Sequence, residues 1–457
     1  MRITDLPGYT VLPVLAFPGP AHAAQHLHFA GDGLGLGAIA LFVVAYVLVV
    51  TEEWTRLRKS TPVLVAAGLI WVLVALAARQ QQAQDLLAAS ARESLLDYAE
   101  LLLFLMVAMT YVNAMTDRQV FAAMRRWLIG RRLGLRALFW ISGLLAFFLS
   151  AVIDNLTTSL VMGALVIGMS SDRRFLVLSC INIVVAANAG GAWCAFGDVT
   201  SLMVWQAGRL EFFEFFRLLV PSAVAWLIPA ACMHPSLPRH LPLEQSMHTG
   251  GLRPGGAGVV ALFGLTLATA VSLQNLVGLP PVMGMMLGLG YLKAYGYFLR
   301  GQGAGGVGDQ TPFDVFGYIA RVEWDTLLFF YGVILCVGGL AALGYMAVLA
   351  DLSYARLGPT VANVMVGIVS AVVDNIPVMA AVLEMNPPMS QGQWLLVTLS
   401  AGIGGSLLSV GSAAGVALMG QARGFYTFFS HLWWTPAIAL GYAAAIWTHL
   451  LVNRALF

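Results

Sequence analysis

Apolar positions along this chain come in long runs, not in the alternation of a half-buried strand or the stripe of a soluble amphipathic helix. Runs close to the ~20 residues that a helix needs to cross a bilayer cover approximately 34–50, 62–78, 95–115, 213–233, 258–278, 280–299, 326–349 and 431–452. Each predicts a plain transmembrane helix. Four other apolar regions do not fit that unit. Residues 137–170 and 358–390 are too long for one span and have no polar loop to divide them into two, while 175–206 and 394–420 are interrupted by glycine clusters. The first two read as re-entrant helical hairpins and the last two as unwound helices, features that occur where membrane proteins build a site at the bilayer midplane.

Composition agrees with that pattern. Hydrophobic residues make up 59% of the 457 and charged residues 10%, against roughly a quarter charged in a soluble chain. The 24 basic and 22 acidic residues leave no basic face for nucleic acid. No polar stretch reaches the ~50 residues of a small soluble domain, so no ATPase accompanies the spans. The four cysteines lie far apart, without CxxC or Cys/His pairing, and offer no zinc or cofactor site. Absence of HExxH, GxSxG and any Ser/His/Asp set on adjacent spans speaks against an intramembrane enzyme. Gly301-Gln-Gly303-Ala-Gly-Gly306 has the GxGxxG form but follows a membrane helix, not a strand, and carries no nucleotide role.

Charge fixes orientation. The loop from 116 to 136 carries Arg118, Arg125, Arg126, Arg131, Arg132 and Arg136 against Asp117, and is therefore cytoplasmic. Arg2, a short apolar run from Tyr9 to Phe17 and Ala21-His22-Ala23 predict a signal peptide over 1–23. Counting spans from the cytoplasmic loop places the mature N-terminus outside. Organisation then reads as a first half over 34–233 with its hairpin at 137–170 and broken helix at 175–206, a cytoplasmic connection over 234–257, and a second half over 258–452 with hairpin 358–390 and broken helix 394–420.

The halves repeat. Ser150-Ala-Val-Ile-Asp154-Asn155-Leu returns as Ser370-Ala-Val-Val-Asp374-Asn375-Ile, and Gly190-Gly191 with Gly197 returns as Gly404-Gly405 with Gly411. Five predicted crossings between the copies make the second half inverted. The fold class expected is thus an all-α polytopic membrane protein, an inverted-repeat secondary transporter with about ten spanning helices, two re-entrant hairpins and two unwound helices.

Chemistry gathers at the breaks. A carboxylate in the hydrocarbon region costs at least ~2.5–3.5 kcal/mol, and four acids stand well inside apolar segments: Glu100, Asp154, Asp198 and Asp374. No Lys or Arg in those segments neutralises them, which leaves cations or protons as partners. Asp154 is flanked by Asn155, Thr157 and Thr158, and Asp198 by Asn188, Thr200 and Ser201. The second half adds Ser370, Asn375, Ser406, Ser409 and Ser412, with Pro377 behind its hairpin turn. Oxygen-only ligand sets suit hard cations. A buried carboxylate that holds either a metal cation or a proton is an antiporter in its smallest form, with Asp154 and Asp198 as the primary carriers. Glu100, in an unbroken helix, is a candidate proton relay or pH-responsive residue.

These motifs resemble the NhaD-type sodium/proton antiporters of the ion transporter superfamily. The likeness rests on Asp154-Asn-Leu-Thr, Asn188-Ala-Gly-Gly with Gly197-Asp198-Val-Thr, Asp374-Asn-Ile-Pro and Gly404-Gly-Ser-Leu-Leu-Ser-Val-Gly411-Ser, extends to Glu100-Leu-Leu-Leu-Phe-Leu, and covers approximately 34–452. It implies Na+(Li+)/H+ exchange in a bacterial inner membrane by a homodimeric, elevator-like fold. The functional residues it implies are Glu100, Asp154, Asn155, Asn188, Asp198, Thr200, Ser201, Ser370, Asn375, Ser409 and Ser412. Ser201 stands where threonine is usual and keeps the hydroxyl; Cys194 stands where serine is expected. Dicarboxylate and arsenite carriers of the same superfamily are the alternative, but an anionic substrate would meet Asp154 and Asp374 at the hairpin tips.

Overall fold

The computed structural model describes residues 31–131, 134–238, 251–301 and 313–457. The signal peptide expected at 1–23, much of the 234–257 connection and most of the Gly301–Gly306 stretch lie outside them. Among the described residues there is helix and no strand. The first elements are α1 (Gly33–Val50), the short α2 (Glu52–Thr55), α3 (Ser60–Gln80), α4 (Gln84–Asp117) and α5 (Val120–Gly130). Two short helices, α6 (Leu135–Ser150) and α7 (Asn155–Ile167), precede α8 (Arg173–Ala192), α9 (Val199–Gln206) and α10 (Leu219–Met233). Then come α11 (Gly256–Val277), α12 (Pro281–Gly301), α13 (Val315–Ala320), α14 (Trp324–Ala342) and α15 (Tyr345–Ala350). A second short pair, α16 (Pro359–Ser370) and α17 (Asn375–Met385), leads into α18 (Gln391–Gly404), α19 (Ala413–Gln421), α20 (Phe428–Leu432) and α21 (Thr435–Val452).

Eight segments are long and apolar enough to cross a membrane: α1, α3, α4, α8, the stretch Phe212–Ser236 containing α10, α11, α14 and α21. The chain is a multi-pass membrane protein. Where about ten spans were expected, α12 has the length, but five glycines, three tyrosines and Lys293 dilute its apolar content. Three predicted boundaries shift for local reasons. The apolar run 326–349 is divided at Gly344, whose φ of 94° ends one helix and starts α15, a conformation that glycine adopts without cost from a Cβ. The run 431–452 becomes helical for its length only from Thr435, with Pro436 in the first turn. α4 starts at Gln84, before the apolar stretch, because Leu-Leu-Ala-Ala-Ser-Ala-Arg-Glu is itself helix-forming.

Helices pack in two groups. One holds α1, α3, α4, α11, α12 and α14; the other holds α6, α7, α8, α10, α16, α18, α19 and α21. α17 lies between them, against α14 on one side and α9 and α18 on the other. α8 and α18 cross inside the second group, and from Phe175 to Ala192 nearly every residue of α8 is buried. Between helices in lipid the driving force is close packing of small residues, and Gly402 of α18 meets Ala192 of α8 at a distance of 3.2 Å from the position of a Cβ.

A candidate cation site between two broken helices

Glycine decides where α8 stops. A Cβ on Gly190 would lie 2.1 Å from the Phe147 carbonyl oxygen, and one on Gly197 would lie 2.7 Å from the Ser150 oxygen. The end of α8 and the irregular segment after it are therefore pressed onto the end of α6. The second half does the same: a Cβ on Gly404 would lie 2.1 Å from the Gly367 oxygen, and one on Gly411 2.3 Å from the Ala371 oxygen. Ser150 Oγ donates to the Ala187 carbonyl at 2.6 Å and Ser370 Oγ to the Ala401 carbonyl at 3.0 Å, pinning each short pair to its own broken helix.

Asn155 and Asp198 occupy the start of α7 and the position before α9, and a polar knot forms between the breaks. Asn155 Nδ2 donates to Asn188 Oδ1 at 3.1 Å. Asn188 Nδ2 reaches across to the other half and donates to Ser406 Oγ at 2.9 Å and Ser412 Oγ at 3.0 Å. In the opposite direction, Asn375 Nδ2 donates to Asp198 Oδ2 at 2.8 Å, and Thr200 Oγ1 donates to the same oxygen at 3.0 Å. The two halves are thus stitched crosswise by asparagines. Ser201 Oγ donates to the Gly191 carbonyl at 3.0 Å. Ser409 is fully buried and its Oγ has no hydrogen-bond partner among the described residues.

The two matching acids differ. Asp154 caps α7, accepting the Thr157 N–H at 2.9 Å and its hydroxyl at 2.7 Å, while Thr158 Oγ1 donates to the Ile153 carbonyl at 3.0 Å. Asp374 stands in the same place before α17 but makes no side-chain cap. Pro377 replaces the threonine and supplies neither N–H nor hydroxyl. Asp374 Oδ1 is left buried without a partner among the described residues. None of Asp154, Asp198 and Asp374 forms a salt bridge among the described residues.

Of the residues that the sequence singles out, Asn155, Asn188, Ser406 and Ser412 meet in one hydrogen-bonded network and Asp198, Thr200 and Asn375 in a second, with Asp154, Thr157, Thr158, Ser201, Ser370, Asp374 and Ser409 on the segments that frame them. Glu100 is apart. It lines a cavity of about 280 Å³ with Glu93, Asp97, Glu384 and Arg209, between α4, α9, α14 and α17. Glu384, near the end of α17, is an acid that the sequence reading passes over, although it closes an apolar run, Val382-Leu383-Glu384. His431 was passed over as well. It is fully buried, its Nε2 is 2.8 Å from the Ser406 carbonyl oxygen and its Nδ1 2.7 Å from Tyr426 Oη, so it holds the second break in shape. A lone histidine near an apolar run gives no signal of that contact.

Comparison with known proteins adds a family. The citrate transporter family (CitMHS) matches residues 29–402. The chain is 51% identical to a protein named Na(+)/H(+) antiporter NhaD from Alkalimonas amylolytica, over 97% of this chain and 96% of that one. It is 49% identical to the protein of the same name from Vibrio cholerae, over 95% of each. With sodium/proton antiporter 1 of Arabidopsis thaliana identity is 31%, over 97% of this chain and 77% of the plant protein.

Proposed function

The chain belongs to the NhaD Na+/H+ antiporters within the citrate transporter family, and from that membership we propose how its buried carboxylates carry out the exchange. It moves sodium against protons. Cation and proton compete for Asp198 and Asp154 at the crossing of the two broken helices, because burial favours the protonated acid and a bound cation favours the carboxylate. The observation that carries this reading is Asp198: a buried carboxylate, without an ion pair among the described residues, bonded by Thr200 from its own half and by Asn375 from the other.

A cation at that point would draw its oxygens from Asp198, Thr200, Ser201, Ser412 and Ser409, with Asp154, Thr157 and Thr158 on the first pair and Ser370 and Asp374 on the second. Asn155, Asn188 and Asn375 orient the shell, so loading the site pulls on four elements at once. The short pairs α6–α7 and α16–α17 act as re-entrant hairpins of an inverted repeat, supported by their matching contacts to Gly197 and Gly411. Glu100 serves as a proton relay or pH-responsive group beside the acid-lined cavity. Na+ and Li+ are the substrates, the membrane is the bacterial inner membrane, and the assembly is a homodimer. The citrate transporter description raises a second reading, a carboxylate substrate, but an anion entering this crossing would meet Asp154, Asp198 and Asp374, none of them in a salt bridge among the described residues.

The test uses inverted vesicles from a host without its own sodium exchangers, energised to an acidic interior and challenged in turn with Na+, Li+ and K+. Na+ or Li+ should discharge the proton gradient, and Asp198→Asn should abolish the response at unchanged expression. A response retained by that variant would remove Asp198 from the exchange, and a response only to citrate would favour the second reading.

A further inference from the structure

Arg173 and Arg174 open α8 and take no part in the site above. Both are exposed, and neither forms a salt bridge among the described residues. The acid next to them is engaged elsewhere, since Asp172 accepts the Phe175 N–H at 2.6 Å and caps the helix. The two arginines rim a groove of about 510 Å³ with Ser236, Trp433 and Trp434, over a floor of Val177 and Leu178. Its walls are the start of α8, the segment after α10 and the approach to α21, and α10 packs against both other helices. These walls are tied down. Trp140 Nε1 donates to His234 Nδ1 at 3.1 Å, which fixes the segment carrying Ser236 to α6. Thr435 Oγ1 donates to the Leu407 carbonyl at 2.8 Å and His431 holds that of Ser406, so the approach to α21 is bonded to the second break. The groove also lies at a membrane face. Arg125, from the loop that the positive-inside rule places in the cytoplasm, donates to the Gly168 carbonyl at 2.9 Å, shortly before Arg173 in the chain. Trp433 is 82% exposed, as tryptophan is at the level of lipid headgroups. Further along α21, Leu440 and Trp447 share one face at 57% and 65% exposure, an apolar track that leads away from the groove.

We propose that this groove binds a phospholipid with an anionic headgroup, the Arg173 and Arg174 guanidiniums taking its phosphate and the exposed face of α21 an acyl chain. Guanidinium is a planar fork of donors that matches phosphate oxygens, and anionic lipids of the cytoplasmic leaflet attract basic residues at the membrane surface. A soluble phosphate would satisfy the arginines but would make no use of the tryptophans or of the apolar track. Seated there, the lipid bridges α8, the end of α10 and the approach to α21. Through Ser406 and Leu407 it steadies the second break. The proposal stands apart from the cation-exchange reading, and its test measures no transport.

The experiment uses the full chain, delipidated in a non-ionic detergent and titrated with phosphatidylglycerol, phosphatidylcholine or inorganic phosphate. Native mass spectrometry counts retained lipid, and a thermal melt reads stability. Phosphatidylglycerol should be retained by the wild type and raise its melting temperature, whereas phosphatidylcholine should do neither. The double variant Arg173→Gln/Arg174→Gln should melt as the lipid-free wild type does and bind phosphatidylglycerol about thirtyfold more weakly. Arg173→Lys/Arg174→Lys, which keeps both charges, should recover most of that affinity. Equal retention of the two lipids, or undiminished phosphatidylglycerol affinity in the glutamine variant, would overturn the proposal. Stabilisation of the same size by inorganic phosphate would make the groove a soluble-anion site and overturn the lipid assignment. Loss of folded protein in the glutamine variant would overturn it too, by making the arginines structural.

Discussion

Asp154 and Asp374 begin from nearly the same heptapeptide and end in different chemical states. The difference is three residues downstream, where Thr157 gives its neighbour an N–H and a hydroxyl and Pro377 gives neither. A side chain before a helix is worth about 1 kcal/mol when it accepts the N–H of the third residue, so Pro377→Thr should raise thermal stability by about that amount in a detergent melting experiment. It should also slow exchange, because the new cap occupies an Asp374 oxygen. Higher stability with undiminished exchange would show that this oxygen is not used in transport. The acids were legible in the sequence, since an unpaired carboxylate in an apolar run is expensive and has few explanations. The role of Pro377 was not, because its effect is a hydrogen bond that fails to form.

The broken helices owe their shape to atoms that glycine leaves out. At Gly190 and Gly404 the missing Cβ would lie 2.1 Å from a carbonyl oxygen of the adjoining short helix. Overpacking of this kind costs about 1–3 kcal/mol or more. Gly190→Ala and Gly404→Ala should therefore lower the melting temperature and the yield of folded protein, whereas Gly264→Ala, with nothing within 4 Å of its Cβ position, should leave both unchanged. Equal tolerance of all three would remove close approach as the reason for the glycines. Length and glycine spacing located these interruptions in the sequence. They did not separate α14 from α15, because a single glycine in an apolar run looks the same whether it packs or turns, and only its φ distinguishes the cases.

Across the whole molecule, the contacts that matter join elements far apart in the chain. Asn188 reaches Ser406 and Ser412, and Asn375 reaches Asp198, so the polar groups of α8 and of the segment before α9 are bonded by side chains from distant parts of the chain. On the proposed reading Asp154, Asp198 and Asp374 would provide for more than one proton per sodium, and exchange should then carry net charge. Proteoliposomes should show a rate that depends on an imposed membrane potential. Equal rates with the potential clamped and unclamped would mean electroneutral exchange and a structural role for at least one acid.

By itself the sequence determined that this chain lives in a membrane, which long segments are helical, that α8 and α18 end at glycine clusters, and which acids are candidates for transport. All of these follow from local quantities: the length of an apolar run, the position of glycine, the cost of a charge in hydrocarbon. Tertiary structure decided which acid is capped and which is not, that Glu100 stands with Glu384 in a separate cavity, and that His431 braces the second break. The reason is physical. Hydrogen-bond satisfaction belongs to pairs of atoms brought together by packing, and the partners of Asp198 and Asp374 lie on helices whose order in space no run of hydropathy specifies.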